Sequence, residues 1–580
     1  MNHKLRKRLT QFSMRGFRRS LASFDAVRQF AILGIISGVV TGVVILAFRT
    51  LIEIPLTIFL DNDFDNFEAL PQHYYFIVPV VGAIGLAILL SLIKKEHRSV
   101  GPVHVLERLA RHQGHLPWQN ALTQFCAGII ALASGQSGGR EGPAIHLGAA
   151  GSSLLGQSLS LPNNSIRILV GCGAAAAISA SFNTPMAGVI FSMEVIIMEY
   201  TIAGFIPVIL AAVTATLINN LVYGNETAFF VPLTVADYTL HDVPFLVLEG
   251  FVIGTIAAIF VHLIALIYSY APAAIGTRML IAGIVTGILA LAVPQVLGVG
   301  YDTVTLALEG NFGLALLIAA CTFKLIATAT TIALGVPVGV IGPTIFIGAM
   351  AGGALGILGA TLMPEAASSP GFYVMLGMGA MMGAVLQAPL AALMAVMELT
   401  NNSQIILPAM LVIIVANLTA NQVFKVESIF ITQMKILGLE FRQNPLSMAL
   451  NRASVASIMS RSFRRVAHVI SLECAQELSR EKPTWLLVDS TKGLPFILRT
   501  EDLTQHLKAG TNKESIDLTE IPATRKDVRS IMLQATLSEA LDTLNSTGVQ
   551  ALYVTRISAP MIDSAVGIID RSDIESYYQS

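Results

Sequence analysis

The chain has 580 residues, of which 54% are hydrophobic and only 13% charged, and its formal net charge is −1. With a mean hydropathy of +0.69, this balance excludes an ordinary soluble domain and describes a polytopic membrane protein. The charge carries no information about nucleic acid, because its signs are segregated along the chain. No nucleic-acid partner is expected, since the one basic arm sits beside an apolar span.

In chain order, residues 1–28 carry Lys4, Arg6, Lys7, Arg8, Arg15, Arg18, Arg19 and Arg28 without a cleavage-site pattern, so they read as a cytoplasmic arm rather than a signal peptide. Residues 29–57 and 73–93 are long enough to cross a bilayer. The acidic loop at 61–68 and the basic KKEHR at 94–98 then predict an in, out, in path. Further apolar segments cover 116–134, 142–157, 164–180, 185–222, 244–269, 277–299, 311–334, 343–362, 371–386, 389–399 and 405–424. Several fall short of the ~20 residues of a straight span, which predicts tilted and partly re-entrant helices. After a linker at 441–452, residues 453–580 alternate short apolar strands with amphipathic stretches, as a soluble α/β domain does. The four cysteines show no metal-ligand spacing and no disulfide framework.

A Gly-rich stretch occurs twice: GQSGGREGPAIHLGAAGSSLLG at 135–156 and GVPVGVIGPTIFIGAMAGGALG at 335–356, without a gap at an offset of 200. Each is irregular backbone feeding a helix start, expected at Gly142-Pro143 and Gly342-Pro343. Helix starts present unpaired N–H groups and partial positive charge, so two of them converging inside a membrane form an uncharged anion site. The competing reading, glycines that merely let helices approach closely, explains one copy better than two in register. Similarity continues from Phe182-Asn183-Thr184-Pro185 to Leu386-Gln387-Ala388-Pro389 and from Glu194 to Glu398, giving two homologous halves, about 29–222 and 244–424. Paired broken helices across repeats are a transporter device.

The words GGREGP at 138–143 and Gly339-Val340-Ile341-Gly342-Pro343 resemble two signatures of the CLC family of chloride channels and chloride–proton exchangers, and the tail resembles the cytoplasmic CBS pair of many members, of prokaryotic type here. The resemblance implies two inverted repeats with broken, re-entrant helices, a homodimer in the cell (inner) membrane with both termini cytoplasmic, and chloride or another small anion as substrate. It makes Glu141 the gating glutamate, a tethered carboxylate competing for an anion position until protonation removes its charge. The competing role for Glu141 is a structural ion pair with Arg140; Arg140 itself reads as structural. Anion-binding residues carried over are Val340 and Ile341 through their N–H groups, the Ser99-Val100-Gly101 loop, where Ser99 and Val100 compete for one family position, and Phe430 in place of an inner tyrosine.

The internal proton-glutamate position of exchangers is occupied by Val195, with Glu194 one residue away and about 100° around a helix. This favours passive, channel-like conduction gated by a pore glutamate, with a proton-coupled exchanger using another internal route as the alternative. Glu194 and Glu398 read as structural hydrogen-bonding groups. In the tail, two CBS motifs are expected at about 453–510 and 526–580, with Asp502 and Asp573 at ribose-binding positions. Arg499 and Asp570 stand where a Ser or Thr is expected, so no cofactor is anticipated, an adenine nucleotide being the doubtful candidate. No nucleophile–base pair, metal cluster or phosphate loop suggests an enzyme, and His104 and His146 read as isolated helix-packing residues.

Overall fold

The computed structural model describes residues 27–60, 65–224, 242–362, 369–439, 445–490, 493–509, 514–559 and 562–579. Residues 1–26 of the basic arm, 61–64 of the acidic loop and 441–444 of the linker lie outside them. The chain divides into a helical unit, Phe30–Ser158 with Ile166–Phe441, and a mixed unit built mainly from Arg442–Ser580.

The helical unit repeats its order of helices. The first half contains α1 (Val27–Phe59), α2 (Tyr74–Leu92), α3 (Gly101–Arg111), α4 (Trp118–Ala133), α5 (Glu141–Ser158), α6 (Asn163–Phe182), α7 (Pro185–Phe191) and α8 (Ile202–Tyr223). The second contains α9 (Val243–Ser269), α10 (Ile275–Ala292), α11 (Tyr301–Leu308), α12 (Leu314–Ala333), α13 (Ile341–Leu362), α14 (Pro370–Leu386), α15 (Pro389–Thr400) and α16 (Ile406–Leu418), and α17 (Ile429–Ile436) follows. Among the described residues, nine helices are long and apolar enough to cross a membrane. The sequence missed the short α3 and α11, whose polar positions break the apolar runs. It also read 185–222 as one segment. The chain instead breaks before Ile202, where Met198 takes a φ of 56°, and the predicted 277–299 ends as a helix at Ala292.

The recurring Asn-x-Pro and Gln-x-Pro words have a local cause. Asn183 and Gln387 adopt left-handed conformations at φ 58° and 54°, closing α6 and α14, and Pro185 and Pro389 then occupy first-turn positions where no N–H is needed. The free N–H groups of these new helices are capped across the repeat. Glu398 accepts from Met186 and Ala187 at 3.0 and 2.7 Å, and Glu194 accepts from Leu390 and Ala391 at 3.4 and 2.8 Å. This reciprocal exchange makes the operator between the halves a two-fold, and gives both glutamates the structural role expected of them.

The mixed unit is a six-stranded sheet in the order β1-β3-β4-β6-β7-β8, together with a two-stranded ribbon of β2 and β5. Its first block runs β1 (Phe463–Ala467), β2 (Val469–Ser471), α20 (Leu472–Glu481), β3 (Trp485–Asp489), β4 (Phe496–Arg499) and α21 (Thr500–Lys508), before β5 (Ser515–Asp517). The second runs β6 (Lys526–Met532), α22 (Leu537–Thr547), β7 (Ala551–Ala559), β8 (Ile562–Asp570) and α23 (Arg571–Gln579), and α18 (Pro445–Asn451) and α19 (Val455–Ile458) precede both blocks. In each block a parallel pair is followed by an antiparallel strand that leads directly into a helix. Leu486, Val488 and Leu498 face one apolar cluster while Trp485, Leu487 and Ile497 face another, so β3 and β4 are buried on both sides.

Helix α22 starts with a full capping box: the Thr536 hydroxyl accepts from the Glu539 N–H at 3.3 Å, and the Glu539 carboxylate accepts from the Thr536 N–H at 2.7 Å. Thr536→Ala should destabilise this unit by about 1 kcal/mol, read as faster amide exchange in the first turn of α22. Unchanged exchange there would remove the cap from the account of the unit's stability.

Candidate functional site

The two Gly-rich loops meet. Gly139 and Gly339 exchange backbone hydrogen bonds of 2.7 and 2.6 Å, an isolated antiparallel bridge. A Cβ on Gly339 would lie 2.4 Å from the Gly142 nitrogen, so only glycine permits this approach. The helices that leave the bridge begin at Glu141 and Ile341, one residue ahead of the expected Gly142 and Gly342. Prolines 143 and 343 are tolerated because the first-turn N–H groups have no intrahelical acceptor in any case.

Glu141 is fully buried at this junction. Its carboxylate accepts a hydrogen bond from the Gly342 N–H of the facing helix start at 3.2 Å and another from the Tyr301 hydroxyl at 2.5 Å. Arg140 is drawn elsewhere, to Glu53 at 3.3 Å and to the Ser181 carbonyl at 3.0 Å, so the ion pair with Glu141 is not the arrangement adopted. The ring of Tyr301 is fixed by its backbone. Gly300 takes a φ of 83°, and the N–H groups of Gly300 and Tyr301 donate to Asp65 at 3.0 and 2.6 Å. The buried Lys324 ammonium donates to the carbonyls of Val296 and Gly298 at 3.0 and 2.9 Å in the same loop.

A cavity of about 300 Å³ approaches the bridge, and Ser99, Val100, Gly101, Val340, Ile341 and Phe430 all line it. Gly142, beside Glu141, does so too. The loop at its wall turns at Gly101, where φ is 79°, and the Asn120 amide holds the Ser99 carbonyl at 2.9 Å. Both Ser99 and Val100 face the space, so the geometry does not choose between them. The second-half counterpart of this loop, 298–301, lines a separate recess of about 30 Å³ with Arg49, Glu53, Asp65 and Arg140. Phe430 is buried in the first turn of α17. Val195 is buried at 4% exposure within the apolar core.

His104 and His146 are not isolated. His104 Nδ1 and His146 Nε2 lie 2.8 Å apart between α3 and α5, and His104 also lines the larger cavity. The contact escaped the sequence because the two positions are 42 residues apart and only the folding of α3 back onto α5 joins them.

The model of the family described as "Voltage gated chloride channel" matches residues 81–421, more than half of the chain. The chain belongs to the CLC family. It is 32% identical over 367 residues to a protein named "Putative chloride channel protein ClcB-like" from Ralstonia nicotianae, covering 61% of this chain and 84% of the relative. It is 29% identical over 301 residues to "H(+)/Cl(-) exchange transporter ClcA" from Vibrio cholerae, covering 50% of this chain and 64% of that relative, just under two thirds of its length. Among solved structures it shares the fold of one titled as a slow cyanobacterial Cl-/H+ antiporter, at a TM-score of 0.63 and 22% identity over 70% of this chain and 98% of the other. A eukaryotic CLC transporter aligns over 97% of this chain and 98% of its own at a TM-score of 0.57 and 18% identity. The two-fold-related halves are thus the inverted repeats of the CLC fold, followed by an α/β CBS-type domain.

In this CLC chain the candidate nucleotide aspartates are differently engaged. Asp502 lies in the first turn of α21. Asp573 instead accepts from the Asp570 N–H at 2.9 Å, while Asp570 accepts from the Asp573 N–H, the Ser572 hydroxyl and Lys526 at 3.1, 2.6 and 2.8 Å. Burial pushes the Asp570 carboxyl up, yet Lys526, Ser572 and the Asp573 N–H outweigh it and hold it below its ordinary value. A carboxyl depressed in this way contributes stability above its unfolded value of about 3.9 and loses it as pH falls through the folded value.

Tyr301, Asp65 and Lys324 were missed. Lys324 carried the best signal, a lone cation in the apolar run 311–334, since intramembrane charge is functional by default. Gly339→Ala should abolish chloride efflux from proteoliposomes, because the added methyl forces the bridge apart. Efflux at the parent rate would mean that the loops do not approach as closely as described.

Proposed function

We propose that this chain is a proton-coupled chloride exchanger in which Glu141 gates the anion pathway. The observation that carries the gate is the Glu141 carboxylate resting on the Gly342 N–H, a donor of the facing helix start. A carboxylate there occupies what an anion would occupy, and its protonation removes the charge that holds it. The cavity lined by Ser99, Val100, Gly101, Val340, Ile341 and Phe430 is then the anion's approach from one side. Val340 and Ile341 contribute main-chain donors among apolar side chains, so chloride is attracted without being trapped by a full charge.

Exchange is favoured over the passive conduction expected from Val195 by the relatives that carry the exchanger name at 28 to 29% identity. Valine cannot carry a proton. The internal proton must therefore reach Glu141 through water, and the cavity of about 300 Å³ that touches Gly142 has room for it. Passive conduction is the second reading, supported by the apolar burial of Val195. The chain would act as a homodimer in the cell's inner membrane with both termini cytoplasmic, and the CBS pair, about 453–510 and 526–580, would couple to gating without bound nucleotide.

The deciding measurement is the reversal potential of the purified protein in liposomes with equal chloride on both sides and an imposed proton gradient. A shift towards the proton potential is the expected result; a potential at zero would reinstate the channel. Glu141→Gln should conduct chloride independently of pH and without proton movement, read as parallel chloride and proton fluxes. Titrating the full-length protein with ATP or AMP should produce no calorimetric heat, and saturable heat lost in Asp502→Ala or Asp573→Ala would overturn the nucleotide-free reading.

A further inference from the structure

We infer that Tyr301 is a positioning residue that latches the gate shut, with Asp65 and Lys324 as its anchors; this rests on the reading of Glu141 as the gate. The phenol belongs to the opposite half from Glu141 and reaches it at 2.5 Å, both groups buried. As an O–H donor it stabilises the ionised carboxylate over the protonated one. Its hold depends on where the 296–301 loop is fixed. Asp65 takes the two N–H groups at the start of α11, and Lys324 draws in the carbonyls of Val296 and Gly298, so one side chain of each sign pins the loop from opposite ends. A loop with a left-handed glycine at its turn would otherwise have freedom to swing the ring away.

The charged and titratable groups around the Glu141 carboxylate are Arg140 on its own loop, Tyr301 from α11, and beyond them Asp65, Lys324 and Glu53. Arg140 is committed to Glu53 and Ser181, so the phenol is the donor that distinguishes a latched carboxylate from a free one. The latch therefore sets the pH at which the gate releases, while the anion donors at Val340 and Ile341 are untouched by it.

The experiment is chloride efflux from proteoliposomes across a pH series for the full-length protein, Tyr301→Phe, Glu141→Gln and the double variant. Tyr301→Phe should raise efflux at neutral pH roughly tenfold, the loss of one charge-assisted hydrogen bond, and move acid activation to higher pH. In the Glu141→Gln background the same substitution should change nothing, which also shows that the phenylalanine variant folds. Asp65→Asn should reproduce the shift more weakly. An unaltered pH profile in Tyr301→Phe overturns the latch, as does an equal loss of efflux in both backgrounds, which marks a packing role. A pH response that survives Glu141→Gln removes the gate itself, a failure distinct from that of the latch.

Discussion

The bridge between Gly139 and Gly339 is the constraint on which the helical unit depends. Two backbone segments that belong to no sheet pair with each other at the centre of the unit, so each satisfies groups that lipid could not. The bridge also sets the direction of everything that follows. Each partner is two residues from a helix start, and joining them brings the unpaired N–H groups of α5 and α13 to one place. Because the contact is symmetric, the halves repeat it elsewhere with the same operator, as the crossed caps of Glu194 and Glu398 do.

Function enters where the halves differ. Glu141 and Ile341 occupy equivalent positions, and only the first half supplies a charge; the second supplies the N–H that receives it. Gln124 and Lys324 are likewise equivalent at an offset of 200. Gln124 donates to the Pro337 carbonyl at 3.2 Å, whereas Lys324 gathers carbonyls of the loop that carries Tyr301. The same loop position therefore forms an open cavity wall at Ser99–Gly101 and a tight clamp at Gly298–Tyr301. Equivalent loop positions on a symmetric scaffold thus line a cavity of about 300 Å³ in one half and a recess of about 30 Å³ in the other.

Much of this was legible because it repeats. Glycine and proline words at a fixed offset report backbone geometry directly, and apolar runs report spans, so the halves and the broken helices follow from the residues alone, whereas the backbone bridge between the two loops does not. The family resemblance supplied Glu141 and the cavity residues. What the sequence hid are contacts without local signature. Asp65 sits in an acidic stretch that reads as a marker of topology. Tyr301 opens a helix too short and too polar for periodicity to find, and the His104–His146 contact depends on a tertiary packing that no window of sequence contains.

The kind of bond that holds Glu141 is as informative as its position. A buried carboxylate paired with arginine would be difficult to displace, since breaking a buried ion pair costs about 3–5 kcal/mol. Arg140 stands next in sequence, yet it is turned to Glu53. From the facing half, Glu141 is held by a hydroxyl and an amide, each neutral, and hydrogen bonds of that kind to a charged group contribute about 1.5–3 kcal/mol. Such a hold keeps the carboxylate in place while it is ionised and weakens once a proton arrives, because both partners are donors. Lys324, by contrast, is wrapped by three carbonyls of one loop. Of these two buried charges, the proposed gate is thus the one held by a few neutral donors, and the loop that carries Tyr301 is the one gathered by the other.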